Sequence, residues 1–459
     1  MSSRTFTFAC AGDAIITKRV SQITAPAFLD MVDLIRSADA AFVNLEVVTP
    51  RPPLIPSAEH GGANLGVPEF VLDELKWMGF NLFNVANNHS NDFTFHGIVD
   101  TMNALAERGL VFAGGGMNLG EARSPGYLDT DDVRVAVLGA ASSFVVGAPA
   151  GPSRMDMPGR PGISPLRVDY EYVLDEKQWA ALEGIEEALG LAQVRLERSR
   201  QPEQPLTFLG QRFVRGDKSG IREKVNEKDM EDICRWIYDA RRQAEFVVMS
   251  LHAHQGKNRR GNCPDLADFL PDVAHRFIDA GADVVVGHGP HMLRGIEIYK
   301  GKPIFYSLGD FYYVSSGIRR YPAEIYERHG LPGTATPADV QDRSNMDEQG
   351  NPRGFAADER FWQSVIPMCR YEWVGSEDGA SLHGSAKSPQ LVLTSLELHP
   401  IDLNYRARHR THRGEPELAD PQTGTDILQQ LQALSQPFGV EIAIEPNGKS
   451  YVVGKVKLP

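Results

Sequence analysis

Five short hydrophobic runs in this 459-residue chain each stop at a carboxylate, an amide or an imidazole. Phe80-Asn81-Leu82-Phe83-Asn84-Val85 leads into Ala86-Asn87-Asn88-His89 and then Asp92. Thr5 to Ala11 leads into Gly12-Asp13, and Ala41-Phe42-Val43 into Asn44-Leu45-Glu46. Phe246 to Leu251 leads into His252-Ala253-His254, and Asp283 to Val286 into Gly287-His288-Gly289-Pro290-His291. Runs of this length and composition predict buried strands, and open α/β sheets bind ligands beyond the carboxyl ends of such strands. The series therefore predicts one shared site. Its donors are oxygen and nitrogen without thiolate, which suits one or two divalent ions (Mn, Zn, Fe, Mg or Ca) better than soft copper chemistry.

Between these runs, amphipathic spacing predicts helices over Pro26–Arg36, Pro68–Met78, His96–Arg108, Asp229–Arg242 and Asp265–Ala280. Alternation of strand and helix predicts an α/β layered sheet. The rhythm breaks after residue 141. Residues 147–165 are rich in Gly and Pro, and residues 174–200 form a charged, alanine-rich stretch with helical character. Such a detour reads as a cap or lid inserted over the strand ends. The expected organisation is 1–141 and 229–317 as two halves of a catalytic domain, 142–228 as the cap, 318–360 as a polar surface excursion that helps shape a substrate mouth, and 361–459 as C-terminal strands and a helix. Arg294–Tyr299 and Pro303–Leu308 flank Lys300-Gly301-Lys302 as a hairpin. Strands are also expected over Arg134–Gly139, Gln390–Pro400 and Ser450–Val456, with a helix over Asp426–Leu434.

Hydrophobic residues make up 42% of the chain and charged residues 23%, as in ordinary globular proteins. The net charge of −13 argues against a broad nucleic-acid footprint or an anionic membrane surface. Four scattered cysteines without a CxxC pair predict reduced thiols. With no signal-like segment and no apolar run of about 18 residues, the sequence predicts a cytoplasmic protein with no membrane association. Oligomeric state is left open.

Together, Gly12-Asp13 with Arg19, Asn44-Leu45-Glu46, Ala86-Asn87-Asn88-His89 with Asp92 and Gly97, Gly281-Ala282-Asp283, Gly287-His288-Gly289-Pro290-His291 and Ile304 to Phe311 resemble the CapA-type proteins named for poly-γ-glutamate capsule synthesis. The resemblance covers roughly residues 5–140 and 229–315, and it implies a calcineurin-like metallophosphoesterase fold. Carried over by position, it implies Asp13, Glu46, Asn88, His252 and His288 as metal ligands, with His291 a ligand or an acid/base. His89 becomes the imidazole that protonates a leaving group or contacts substrate, and Asp92 the carboxylate that holds its tautomer. His254 falls on the same side of its strand as His252 and is a candidate substrate contact. This chain departs from the superfamily pattern in three places and from the family's own last block in a fourth. Asp13 lacks a following Asp-x-His histidine, Glu46 stands where an Asp bridges two metals, the last imidazoles are spaced His-x-x-His, and Asp310 replaces an Asn. Loss of the first-strand histidine favours a single, harder ion over a two-metal phosphate clamp.

Three functions follow as expectations. The first is a metal-dependent enzyme using acid/base chemistry on a peptide or γ-glutamyl-type amide, by epimerisation between His89 and His291 or by metal-assisted hydrolysis. The second is phosphoester hydrolysis. The third is a non-catalytic accessory role in poly-γ-glutamate assembly, for which Arg19, Arg160, Arg167 and Arg294 could line a groove. Arg160 and Arg167, on the proline-stiffened segment 160–167, are read as a bidentate clamp for a substrate carboxylate, against the alternative of an ordinary turn. His60 is expected to be a surface loop histidine.

Overall fold

The protein is represented by a computed structural model that describes residues 5–193, 206–375, 390–405, 407, 412–448 and 450–458. Two large sheets carry the architecture. The first contains ten strands and runs Ile442–Asn447, Tyr451–Val456, Gln390–Asp402, Gln363–Val374, Thr5–Ile15, Ala40–Leu45, Leu82–Asn84, Val111–Ala113, with Asp310–Tyr313 and Glu417–Leu418 joined to its side. The second has six strands, in the order Ile296–Tyr299, Lys302–Phe305, Val284–His288, Phe246–His252, Arg134–Ala141, Gly126–Asp129. The result is a mixed α/β fold with several sheets.

Side-chain alternation explains the layering. Phe6, Phe8 and Cys10 share one buried cluster with Phe42, Val135, Phe246, Val284 and Phe305, so the facing sides of the two sheets form a common core. Ala9 and Ala11 point the other way, onto Phe28, Met31 and Ile35 of the Pro26–Arg36 helix. On the far side of the second sheet, Val247, Met249 and Val285 pack on the helices Glu227–Arg241 and Leu270–Ala280. Central strands are therefore covered on both faces, which is why they read as continuous hydrophobic runs. A core aromatic such as Phe8, fully buried, contributes enough that truncation to Ala costs about 3–5 kcal/mol.

The main helices begin and end within a few residues of their expected limits, and the Pro26–Arg36 helix matches them. The hairpin forms as expected, with Lys302 pairing Tyr299. Three regions differ from expectation. Within 142–228, helix runs over Glu176–Ala188 and again over residues 191–193, and residues 194–205 lie outside the described residues. Four strands, led by Val168–Leu174, form a separate small sheet that the sequence reading missed. Its strands are half-exposed and salt-bridged, with Glu171 facing Arg212, Arg222 and Lys224, so they lack the apolar signal of a core strand. Residues 318–355 carry two short helices, Ala323–Arg328 and Pro337–Asn345, the second opened by a Thr336–Asp339 capping box. The long Gln363–Val374 strand also went unread, because residues 364–367 are buried without alternation.

Candidate metal centre

Strand register assembles the site. In the first sheet Asp13 lies opposite Asn44 on one side and Asp310 on the other, and Asn44 lies opposite Asn84. In the second sheet His252 lies opposite His288. Asp13, Asn44, Asn84, His252 and His288 sit at the carboxyl ends of parallel strands and Asp310 opens its own, so residues far apart in sequence meet at one edge of the sandwich. Close backbone approach is required there. A Cβ on Gly12 would lie 1.8 Å from the Gly309 carbonyl oxygen. Gly289, at φ +118°, turns its N–H onto Asp13 Oδ2 at 2.9 Å.

Asp13 is fully buried and also accepts from Asn44 Nδ2 at 2.6 Å. Asn44 is held in turn by the Asn84 and Asn87 amides, which donate to its Oδ1 at 2.7 and 3.3 Å. His288 Nδ1 lies 3.4 Å from Asp13 Oδ1 and 2.9 Å from His252 Nδ1, while its Nε2 is 2.6 Å from the Ser250 hydroxyl. His252 Nε2 meets Asn88 Oδ1 at 2.8 Å and lies 3.8 Å from Glu46 Oε1. His291, at a left-handed φ of 57°, places Nδ1 2.8 Å from Asp310 Oδ1 and Nε2 3.9 Å from Glu46 Oε1. His254 Nδ1 sits 2.7 Å from Asn262 Oδ1.

Three overlapping sets of side chains have geometry that could hold a cation: Asp13, His252 and His288; Glu46, His252 and His254; and Asp13, Glu46, His291 and Asp310. The fit of a divalent ion is tested by what the protein leaves unpaired. Both Glu46 carboxylate oxygens, Asp310 Oδ2 and His254 Nε2 are buried without a hydrogen-bond partner. Buried charge of this kind is costly unless it is paired or coordinates a metal. Carboxylates and imidazoles without thiolate are a donor set for hard or borderline divalent ions. The residues fit.

Electrostatics agree with the donor set. Burial, reinforced by Asp310, raises the Asp13 carboxyl to about 6, and burial with the neighbouring Asp13 and Asp310 pushes Glu46 well above its usual range. Burial lowers His288 and His254 to about 3 and drives His252 down as well. Burial alone would also lower His291, but the Asp310 carboxylate beside it reverses the direction and raises it.

Above the cluster opens a cavity of about 550 Å³ whose walls include Asn88, His89, His254 and His291. His89 Nδ1 is 2.7 Å from Asp92 Oδ2, and the same carboxylate accepts the Leu65 and Gly61 N–H groups at 2.7 and 3.3 Å. This fixes the carboxylate behind the ring. The far wall comes from the 318–360 segment, including Tyr321, Gln341 and Phe355.

The structure thus brings Asp13, Glu46, Asn88, His252, His254, His288 and His291 together, with His89 and Asp92 paired alongside. Asp310 belongs to the cluster, and Asn44 orients Asp13. Neither is among the site residues that the sequence pattern selects, where Asp310 stands only as a replacement for an Asn. The expected arginine clamp is not formed. Arg160 bonds the Pro149 carbonyl at 3.0 Å, and Arg167 makes a two-point contact with Asp229 at 2.6 and 2.7 Å. Neither lines the cavity. The polyanion groove expected from four arginines is likewise absent from these contacts. Arg19 pairs with Glu74 at 3.1 Å, and Arg294 is fully buried, donating to the carbonyls of Cys263, Ala253 and His254. His60 is half-buried rather than free on the surface, and its Nε2 lies 3.0 Å from Arg328 Nη2.

Fold and site together define an α/β protein with a candidate divalent-metal centre at the joined edges of two sheets. The sequence model described as "Bacterial capsule synthesis protein PGA_cap" matches residues 7–314, a span that contains every donor named above. The chain belongs to that family. It is 33% identical over 468 residues to the uncharacterized protein y4sH of Sinorhizobium fredii, covering 99% of this chain and 93% of that protein. It is 25% identical over 266 residues to the capsule biosynthesis protein CapA of Bacillus anthracis, covering 58% and 48% of the two chains. It is also 26% identical over 226 residues to a probable polyglutamine synthesis accessory protein of Mycobacterium tuberculosis, covering 49% and 43%. Among the described residues, no helix is long and apolar enough to cross a membrane.

Proposed function

We propose that this protein is a metal-dependent hydrolase of a peptide or γ-glutamyl-type amide bond, with the fold of calcineurin-like metallophosphoesterases. In this reading residues 1–141 and 229–317 are the catalytic halves, and residues 142–228 form a cap from which Phe144 and Val145 face the cavity. Asp13, Glu46, Asn88, His252 and His288 hold the ion, with Asp310 as a further donor. His291 shares its surroundings with them. When bound, the ion supplies Lewis-acid polarisation of the scissile carbonyl.

The carrying observation is the pairing of an orphaned Glu46 carboxylate with a separate His89–Asp92 couple on the adjoining cavity wall. Asp92 holds the Nδ1 side of His89, which leaves Nε2 to transfer a proton to the departing amine, a contribution of roughly 10²–10⁴ in rate for a positioned acid. Capsule and polyglutamine synthesis, named in the relatives, supply the biological setting in which γ-linked amides occur.

Epimerisation is the second reading, favoured by one observation: His291 offers a second imidazole on the same cavity. Turnover of a peptide panel by metal-loaded protein in deuterated water separates the two. Fragments are expected, and they should be lost in His89→Ala at unchanged metal content. Deuterium in unbroken substrate would replace hydrolysis by epimerisation. Phosphate release from aryl phosphates with no peptide product would replace both.

A further inference from the structure

The cavity has a chemical bias that a polyglutamate site should not have. Among the described residues lining it there is no lysine, arginine, aspartate or glutamate. Its walls instead combine four imidazoles, those of His89, His254, His291 and His329, with aromatic faces and neutral amides. Phe355 stacks on Tyr313 with ring centroids 5.6 Å apart and meets the His291 ring edge-on at 5.2 Å. Gln341 is held by the Ser315 hydroxyl at 3.0 Å and by Tyr321. Asn262 sits across from them, behind His254.

Three arginines of the segment that supplies the far wall have other partners. Arg328 reaches His60 and the Gly62 carbonyl, Arg353 bonds the backbone carbonyls of Arg343 and Ser344, and Arg343 lies 4.0 Å from Glu348. None of these three side chains lines the cavity. A poly-γ-glutamate strand carries a free carboxylate on every residue. Each one held away from the donor side, where the ion and the His89 and His291 rings lie, would lose hydration without meeting a lysine or arginine on the wall from residues 313–355, a cost that buried unpaired charge does not recover. An apolar or aromatic side chain flanked by neutral amides would gain instead, through ring contacts and a hydrogen bond from the Asn262 amide.

Building on the amide-bond reading, we infer that the part of the substrate held in this chamber is an uncharged peptide segment with an apolar or aromatic side chain, not a run of acidic residues. The wall that imposes this preference is built largely from residues 321–355, which lie beyond the 7–314 span of the family match. The donor cluster and the selecting wall are therefore carried by different parts of the chain.

The test is direct binding and turnover of two probes by the full-length, metal-loaded protein: γ-glutamyl-phenylalanine amide and γ-glutamyl-glutamate. Calorimetry should show the neutral aromatic probe binding at least about tenfold more tightly, a difference of about 1.4 kcal/mol. Phe355→Ala should shrink that ratio. Ser344→Arg, which places a cation on an exposed part of the lining, should move the ratio toward the acidic probe and needs no core repacking. Equal binding, tighter binding of the acidic probe, or binding of neither overturns the inference. Selective binding of the aromatic probe without cleavage supports it while removing the hydrolysis reading, so the two fail separately.

Discussion

Two buried carboxylates show how differently this molecule treats charge. Asp229, at the start of the Glu227–Arg241 helix, is surrounded by its own counterions: Arg123 at 2.5 Å, and the Arg167 side chain and N–H at 2.6 to 3.1 Å. Burial alone would raise its pKa, but these arginines win and hold it below the usual carboxylate range. Glu46 is equally inaccessible, yet neither of its oxygens has a partner and its neighbours Asp13 and Asp310 push it up. The first arrangement closes an interface between the 142–228 region and the second-sheet helices. The second has the geometry of a candidate cation site. A carboxylate paired within the protein marks structure, and a buried one without a partner marks a site.

Opposite mutational signatures should separate the two. Asp229→Ala removes one of the two carboxylates that pair with the buried Arg123, leaving Asp232, and should cost about 1.5–3 kcal/mol in denaturant unfolding, with metal content per folded molecule unchanged. Glu46→Gln should instead leave the metal-free protein as stable as the parent or more so, while metal measured by mass spectrometry falls away. Equal metal loss in both variants, or in neither, would erase the contrast drawn here.

Next in size is Asp92→Asn. It removes the carboxylate behind His89 without touching the Glu46 cluster and should lower turnover by about 10–100-fold. The metal content should stay the same, and the pH profile of turnover should shift, which a purely structural lesion would not produce.

The pH dependence of stability sharpens the comparison further. An Asp13 carboxyl raised to about 6 in the fold, against about 3.9 in an unfolded chain, contributes stability that is present below the lower value and lost as pH rises through the upper one. The metal-free protein should therefore weaken relative to the metal-loaded form as pH rises from about 4 through 6, and Glu46, pushed well above its usual range by burial, extends the loss beyond that. Asp229, with its pKa lowered, has the opposite sign: its contribution is present above the unfolded value and disappears only in stronger acid. A gap between loaded and metal-free protein that does not vary with pH would count against a carboxylate-rich centre.

The smallest expected effect is that of Arg160→Ala. Its guanidinium is exposed and bonds only the Pro149 carbonyl among the contacts described, so stability should change by no more than about 0.5 kcal/mol and the Michaelis constant should not move. An increase in that constant would return Arg160 to the substrate.

Much of the centre was legible in the linear chain because a donor directly after a buried strand must emerge at the sheet edge. That holds for Asp13, Glu46, Asn88, His252 and His288, and local spacing also suggested that Asp92 serves His89. The arginines were misread because a guanidinium on a long, flexible side chain carries no sequence record of its partner. Arg167 found Asp229, 62 residues away, and Arg294 turned inward to three backbone carbonyls.

The sequence by itself determined the strand ends, and with them the oxygen-and-nitrogen character of the centre, since strand hydrophobicity and the residue that follows are local properties. Only the tertiary structure decided that Asp310 lies beside Asp13, that Asn44 orients it, and that residues 321–355 close the cavity with aromatic and amide groups. Those relations depend on strand register and on packing between segments up to three hundred residues apart, where the free energy belongs to the pair and is written in neither segment alone.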